Sequence, residues 1–351
     1  MQRKVALSFL LVYLSLMSDR RDFLQGLAAA SLLLPLSGFA AGEIKSRIRA
    51  PRLDKGDLVA LTAPAGAIFN EESISKVTVA LEAAGFRVQQ GKTLQARYGY
   101  LAGKDEFRAN ELNALFKNKE VKAIMAMRGG WGCARLLHLL DFAAIERNPK
   151  IITGFSDITT LLLAIFQKTG LITFHGPVGN SSLGEFTMDH FLRIVSKGER
   201  AELKNPVEDA VQVITPGKAR GILCGGNLTV ICSLVGSGYL PDWKDKILFI
   251  EETDEEPYAV DRMLTQLKLA GILTQVKAVV FGKCTKCDPE EPEKSLTLQQ
   301  VFDDHLRKID VPVFTNSSFG HTRDKFTIPV GAEAEVDAAT GIIRLLEVSV
   351  N

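Results

Sequence analysis

Ser156, five histidines and an apolar strand ending in two carboxylates are the residues of this chain best suited to acyl transfer. Ser156 follows Ile151-Ile152-Thr153-Gly154 and precedes a strongly apolar run, Ile158 to Phe166. That order predicts a buried strand, a tight turn, and a buried helix starting at Ser156. A helix N-terminus favours developing negative charge, so a serine there has the setting of a nucleophile, with the Asp157 amide as one oxyanion donor. The same position suits an ordinary N-cap, for which serine is among the best residues. The turn alone leaves both readings open.

A serine nucleophile needs a base, most often histidine, held in one tautomer by a carboxylate. The histidines are His138, His175, His190, His305 and His321. His138 lies in a leucine-rich helical stretch and reads as packed. His190 and His305 fall in polar or surface-helix contexts and read as solvated. His175 stands before Gly176-Pro177 at a strand end, where it would line a cleft. His321 lies in the glycine-bearing loop Ser317-Ser318-Phe319-Gly320-His321-Thr322, and loops on rigid scaffolds are where catalytic groups concentrate. Position favours His321 over His175. For the orienting acid, the strand Ile247-Leu248-Phe249-Ile250 ends in Glu251-Glu252. Glu251 closes the strand and is the candidate, whereas Glu252 to Glu256 reads as a solvated acidic turn.

The elements that must position these groups alternate. Strands are expected at 57–62, from 86, at 121–127 and at 151–153. Helical segments between them carry Ile74, Val77 and Leu81, then Leu112, Leu115 and Phe116, then Leu136, Leu137 and Leu140. Such alternation implies a parallel sheet covered by helices, a Rossmann-like α/β domain over residues 55–186. Residues 187–215 read as a polar linker. Residues 216–348 mix strands (219–224, 246–250, 276–281, 326–330, 342–348) with helices near 260–267 and 298–309, a smaller α+β domain with an antiparallel part. A length of 351 residues accommodates two cores. Ligands in open α/β sheets sit beyond the carboxyl ends of the strands. Two glycine-bearing exits lie there, Gly154 and Arg128-Gly129-Gly130-Trp131-Gly132. Neither carries a P-loop or a Gly-x-Gly-x-x-Gly pattern, which disfavours a nucleotide fold. Bare amides at Gly129 and Gly130 would instead supply a second oxyanion donor.

Hydrophobic content of 46% and charged content of 24% are ordinary for a globular protein, and a net charge of +1 gives no basis for a nucleic-acid or anionic-membrane partner. Residues 1–41 stand apart. Asp19-Arg20-Arg21-Asp22-Phe23-Leu24 resembles a twin-arginine export signal, followed by an apolar run from Leu27 to Phe39 and the small residues of Gly38-Phe39-Ala40-Ala41. The apolar run is short for a membrane span. An apolar stretch ahead of the arginine pair suggests that translation starts at Met17. A periplasmic location follows, with only transient membrane contact. Cys284-Thr285-Lys286-Cys287 has no second pair of matching spacing, so a local disulfide or two idle thiols are expected rather than a metal site.

Several motifs occur together: Gly154-Phe155-Ser156-Asp157, Arg128 to Gly132, Gly225-Gly226-Asn227-Leu228, Ile250-Glu251-Glu252 followed by Val260-Asp261-Arg262-Met263-Leu264, and Phe319-Gly320-His321. Ala63-Pro64-Ala65-Gly66, Ala102-Gly103-Lys104-Asp105 with Arg108, and Phe174-His175-Gly176-Pro177 accompany them. The set resembles the LD-carboxypeptidase family of serine peptidases (family S66), which includes murein tetrapeptide carboxypeptidases and microcin C self-immunity peptidases. It covers about residues 55 to 345. The resemblance implies Ser156 as nucleophile, Glu251 as acid and His321 as base, in a site between the two domains. It also implies oxyanion donors at Asp157 and Gly129 or Gly130, with Arg128, Gly226 and Asn227 shaping the pocket. The implied reaction releases terminal D-alanine from the L-configured centre of a dibasic residue, meso-diaminopimelate or L-lysine, in murein tetrapeptides. No metal or organic cofactor is implied, and a homodimer, as among relatives, stays open. Trp131 stands where tyrosine is common, and the second glycine of Gly-x-Ser-x-Gly is missing, which excludes an α/β-hydrolase elbow. The export signal sets the chain apart from cytoplasmic recycling enzymes. Two alternatives remain: an immunity peptidase cleaving an amide next to an acyl-nucleotide, and a periplasmic solute-binding protein without turnover.

Overall fold

Four buried strands and one polar edge strand, Arg87–Gln90, in the first half of the chain pair in parallel, because the segment after each is long enough to carry the chain back to the starting end of the sheet. They are β1 (Leu58–Thr62), β2 (Arg87–Gln90), β3 (Val121–Ala126), β4 (Ile151–Gly154) and β5 (Thr173–His175), in spatial order β2-β1-β3-β4-β5. The computed structural model describes residues 46–351, which form one unit; the expected export signal and the start at Met17 lie outside the described residues. Helices Glu72–Ala83, Asp105–Lys117, Phe142–Arg147 and Thr159–Thr169 connect the strands. The leucine-rich stretch after the Gly-Gly turn is a 3₁₀ segment, Ala134–Leu139.

The second half builds another sheet from β6 (Glu202–Leu203), β7 (Gln212–Thr215), β8 (Lys218–Asn227), β9 (Lys246–Thr253), β10 (Ala278–Thr285), β11 (Val313–Ser317), β13 (Glu333–Asp337) and β14 (Ile342–Leu345); the remaining strand is β12 (Ile328–Val330). The order is β6-β14-β13-β8-β9-β10-β11-β7. Strands β8 to β11 are mutually parallel, and the flanking strands run antiparallel. The fold is thus the expected α/β layer plus a mixed sheet. Helix Thr159–Thr169 packs on β5, β8 and β12 and on helix Leu228–Leu234, so it touches elements of both sheets. Burial on several sides explains why it is apolar almost all round.

Two expectations change. Strand β12 does not join the second sheet; it pairs antiparallel with β5 and covers the free edge of the first sheet, with Pro329 opposite Phe174. The chain therefore crosses back just after His321. The polar stretch around 187–215 also holds more than a linker: helix Glu185–Val195 buries His190, Phe191, Ile194 and Val195, and β6 and β7 form opposite edges of the second sheet. Thr187, Phe191, Ile194 and Val195 recur on one face, a helical period that a reading of the stretch by its polar composition passes over.

One buried cation organises the loops beyond the carboxyl ends of β1, β2 and β3. Arg108 is fully buried; its Nε donates to Gly103 O (3.1 Å), Nη1 to Pro64 O and to Gly132 O (3.1 Å), and Nη2 to Asp105 (2.6 Å). Without it three carbonyls lose their donor in a closed space. Arg108→Met is expected to lower the unfolding free energy by about 3 kcal/mol. An unchanged urea midpoint and slope would show that these carbonyls do not depend on the guanidinium.

Candidate active site

Strand β4 ends at Gly154, Phe155 is extended, and Ser156 then turns sharply at φ +63°. A 3₁₀ turn, Ser156–Ile158, leads into helix Thr159–Thr169. The helix does not begin at Ser156, and the serine caps neither element: no side-chain capping bond forms at either start. A left-handed conformation costs a residue with a Cβ about 1–2 kcal/mol. The serine is held in a strained turn, half-buried, with its side chain uncommitted to the helix.

The Gly-rich turn closes on this serine. A Cβ on Gly129 would lie 2.7 Å from Ser156 Cβ, 2.8 Å from its Oγ and 3.2 Å from the Asp157 amide nitrogen, so only glycine allows the approach. The Gly129 carbonyl accepts from Gly66 N (3.2 Å) and Arg128 Nε (3.2 Å), while Arg128 Nη1 donates to Ala67 O (3.2 Å). Arg128 thus braces the turn. The buried Asp157 carboxylate accepts from Cys133 N (2.8 Å), which fastens the far end of the Gly-rich segment to the serine turn. Burial raises the Asp157 pKa, and the Cys133 hydrogen bond only partly offsets it.

Glu251 comes from β9 and is fully buried. Its Oε2 accepts from His321 Nδ1 (2.8 Å) and from the His321 backbone N–H (3.2 Å). A Cβ on Gly320 would overlap this carboxylate, and Gly320 adopts φ +85°, so glycine is required on both counts. Burial pushes the Glu251 pKa up, but the His321 hydrogen bonds and charge prevail and hold it below the ordinary value. For His321, burial opposes the imidazolium, and the hydrogen bond and charge of Glu251 outweigh it, so its pKa is raised. The His321 ring meets the Phe155 ring edge-on with centroids 4.9 Å apart. That contact sets the histidine beside the serine turn. Among the described residues no hydrogen bond joins Ser156 Oγ to the His321 ring; such bonds often tighten only with substrate.

The histidine loop is held from several sides. Thr285 Oγ1 donates to His321 O (2.8 Å), and Thr285 lies within the loop closed by the Cys284–Cys287 disulfide. Ser318 N donates to Asn205 (2.9 Å) and Ser318 Oγ to Asp209 (3.0 Å), both from the stretch expected to be a linker.

Other candidates are placed differently from expectation. His175 does not line an open cleft: it is buried among the rings of Phe155, Phe249 and Phe319, neither ring nitrogen has a partner, and burial lowers its pKa to about 4. His138 is exposed rather than packed. His190 is buried against Phe186 and Phe326, and His305 is half-buried against Asp261, so neither is simply solvated. Glu252 is not part of a solvated turn. It is buried and accepts from Asn227 Nδ2 (3.0 Å), Thr229 N (2.8 Å), Thr229 Oγ1 (2.8 Å) and Thr253 N (2.9 Å). Asn227 also caps helix Leu228–Leu234, and its backbone N–H donates to Thr159 Oγ1 (3.0 Å). Gly226 packs on Thr159. This pair supports the helix that follows the serine turn. Lys325 was not anticipated: nearly fully buried, its Nζ lies 5.4 Å from the Phe155 ring centroid and donates weakly to Arg323 O (3.4 Å), and burial lowers its pKa to about 8. The charged run His321-Thr322-Arg323-Asp324-Lys325 carries no pattern that marks one residue as buried.

Comparison with known proteins identifies the family. Residues 59–176 match the LD-carboxypeptidase N-terminal domain and residues 220–336 the LD-carboxypeptidase C-terminal domain. A probable murein peptide carboxypeptidase of Bacillus subtilis is 38% identical over 82% of this chain and 91% of its own length. The crystal structure of a muramoyltetrapeptide carboxypeptidase from Oxalobacter formigenes superposes with a TM-score of 0.72 at 31% identity, covering 82% of this chain and 97% of that one. The microcin C7 self-immunity protein in complex with aspartyl sulfamoyl adenosine gives a TM-score of 0.81 at 27% identity, covering 87% of this chain and 100% of that one. The chain belongs to the LD-carboxypeptidase family of serine peptidases.

Proposed function

We propose that this carboxypeptidase removes terminal D-alanine from murein tetrapeptides, with Ser156 as nucleophile, His321 as base and Glu251 as its orienter. The observation that carries the reading is the buried Glu251–His321 pair set by Phe155 against the strained Ser156 turn. Glu251 holds the proton of His321 on Nδ1, which leaves Nε2 to take the serine proton. Ser156 Oγ attacks the carbonyl of the L-configured centre. The amides of Asp157 and of Gly129 or Gly130 receive the oxyanion, and His321 returns the proton to the departing D-alanine amine. Water, activated by the same histidine, releases the acyl group. A pure binder has no use for a serine held in a costly conformation beside a histidine–carboxylate pair. The twin-arginine-like segment supports action outside the cytoplasm, and a disulfide at Cys284–Cys287 suits an oxidising compartment. The likeness to the microcin C7 self-immunity protein makes an acyl-nucleotide amide the competing substrate.

The test is mass spectrometry of muropeptides after incubation with protein lacking residues 1–41. Disaccharide tetrapeptide is expected to lose one alanine and pentapeptide none, and Ser156→Ala is expected to lower kcat by roughly 10⁴ or more. Full D-alanine release by that variant, or turnover only of an acyl-nucleotide amide, would overturn the reading. Because the turn prefers glycine, Ser156→Gly is expected to be about 1 kcal/mol more stable than Ser156→Ala, though both lack the hydroxyl. Equal stability would mean that the turn is unstrained. Because Glu251 raises the His321 pKa, kcat/KM should decline as pH falls through a value above 6.5, where the base becomes protonated. Glu251→Gln should move that acid limb to lower pH and cut kcat by about 10³ to 10⁴. An acid limb that stays in place would take Glu251 out of its role.

A further inference from the structure

We propose that an aromatic rim beside the Ser156 turn, centred on Tyr100 and Trp131, is a saccharide subsite that stacks against the glycan end of the substrate. The inference rests on the murein reading above and names where the sugar goes.

Five of the six exposed aromatic residues among the described residues are Phe69, Tyr98, Tyr100, Phe107 and Trp131. All lie on, or one turn beyond, the three loops that Arg108 joins. Exposed aromatics scattered at random need no explanation, but a cluster beside a candidate active site marks a binding surface. Trp131 is 61% and Tyr100 59% exposed; their rings meet edge-on with centroids 5.8 Å apart, and a cavity of about 340 Å³ opens between them. That volume lies in the range of small-ligand sites.

The rings are exposed, yet their backbone is fixed. Tyr98 and Leu101 exchange N–H···O bonds (2.8 and 3.1 Å), Ala67 N donates to Tyr100 O (2.9 Å) and Ala102 N to Ala65 O (3.1 Å). The Arg97 guanidinium stacks over Phe69 at 5.5 Å and donates to Ile68 O and to Ala96 O (2.8 Å). Arg108 ties the loop of Gly103 to that of Gly132, one residue from Trp131. Little conformational freedom is left to lose on binding. A pyranose fits such a surface, because its C–H face packs on aromatic rings while its hydroxyls stay in water. The reach also agrees. Trp131 is two residues from Gly129, at most ~7 Å along the backbone, and the three stem residues behind the scissile carbonyl extend ~10 Å. A sugar on the stem's N-terminus thus arrives near the rim when the acyl carbon sits at Ser156.

The test has two arms. Trp131 and Trp243 are the only tryptophans, and Trp243 is buried, so intrinsic fluorescence reports on the rim. Titration with a soluble N-acetylglucosamine tetrasaccharide is expected to change the emission saturably at millimolar concentration. The change should vanish in Tyr100→Ala, which keeps both tryptophans. In the second arm, the ratio of kcat/KM for disaccharide tetrapeptide to that for sugar-free tetrapeptide is expected to fall about tenfold in Tyr100→Ala. No emission change, a constant ratio, or a response to adenosine monophosphate in place of the saccharide would overturn the proposal. If the wild-type chain cleaves neither peptide, the murein reading fails, and the titration alone decides whether the rim binds sugar.

Discussion

A carboxylate with no contact with water must find its donors inside the protein, and Glu251 finds both in a single residue, His321. That requirement sets the geometry around it. The loop bearing His321 must approach the strand so closely that residue 320 cannot carry a Cβ. Asn205 and Asp209 then hold Ser318, Thr285 holds the His321 carbonyl, and the chain continues directly into β12 on the first sheet. Burying one charge therefore couples the two sheets, and the histidine is delivered to the serine turn as a consequence.

The two carboxylates of Glu251-Glu252 show how a strand divides labour. Neighbouring residues project to opposite faces. Glu251 meets His321 on one side, while Glu252 on the other receives Asn227 and Thr229 and steadies the start of helix Leu228–Leu234. That helix packs against helix Thr159–Thr169, whose first residue accepts no strain itself but anchors Asn227 through Thr159 Oγ1. The strained φ of Ser156 is thus clamped from both ends, by Gly129 and the Asp157–Cys133 bond before the helix and by the Asn227 contact at its start. A left-handed serine survives only in such an over-determined setting.

Much of this was legible in the residues. Apolar runs with helical segments between them foretell β1, β3 and β4, and the strand–glycine–serine order foretells a sharp turn at Ser156. The pairing of Glu251 with His321 follows from a strand end and a glycine-bearing loop once the serine demands partners. What stayed hidden depends on contacts distant in sequence. Nothing local distinguishes Glu252 from exposed Asp254 and half-buried Glu255, because the donors to its side chain come largely from residues 227 and 229. The strand Ile328–Val330 reads as part of the second half until the free edge of β5 claims it. Helix Glu185–Val195 is legible in the period of Thr187, Phe191, Ile194 and Val195 but not in the polar composition of its stretch, and the 3₁₀ segment after Gly132 mimics a helix because its leucines also fall three apart.

Electrostatics around the Glu251–His321 pair places opposed influences on the His321 ring. The hydrogen bond and the charge of Glu251 both favour the His321 imidazolium. Burial of the ring opposes that, and so does the Lys325 ammonium, whose own pKa of about 8 keeps it cationic at neutral pH. His175, neutral down to about pH 4, adds no competing charge beside Glu251 at neutral pH. The ring is thus set by opposed effects of separate origin, a carboxylate from β9 and a lysine four residues along its own loop. As pH rises past about 8 the lysine loses its charge and stops opposing the imidazolium. Below that pH the lysine charge disfavours the imidazolium, while the hydrogen bond and charge of Glu251 favour it.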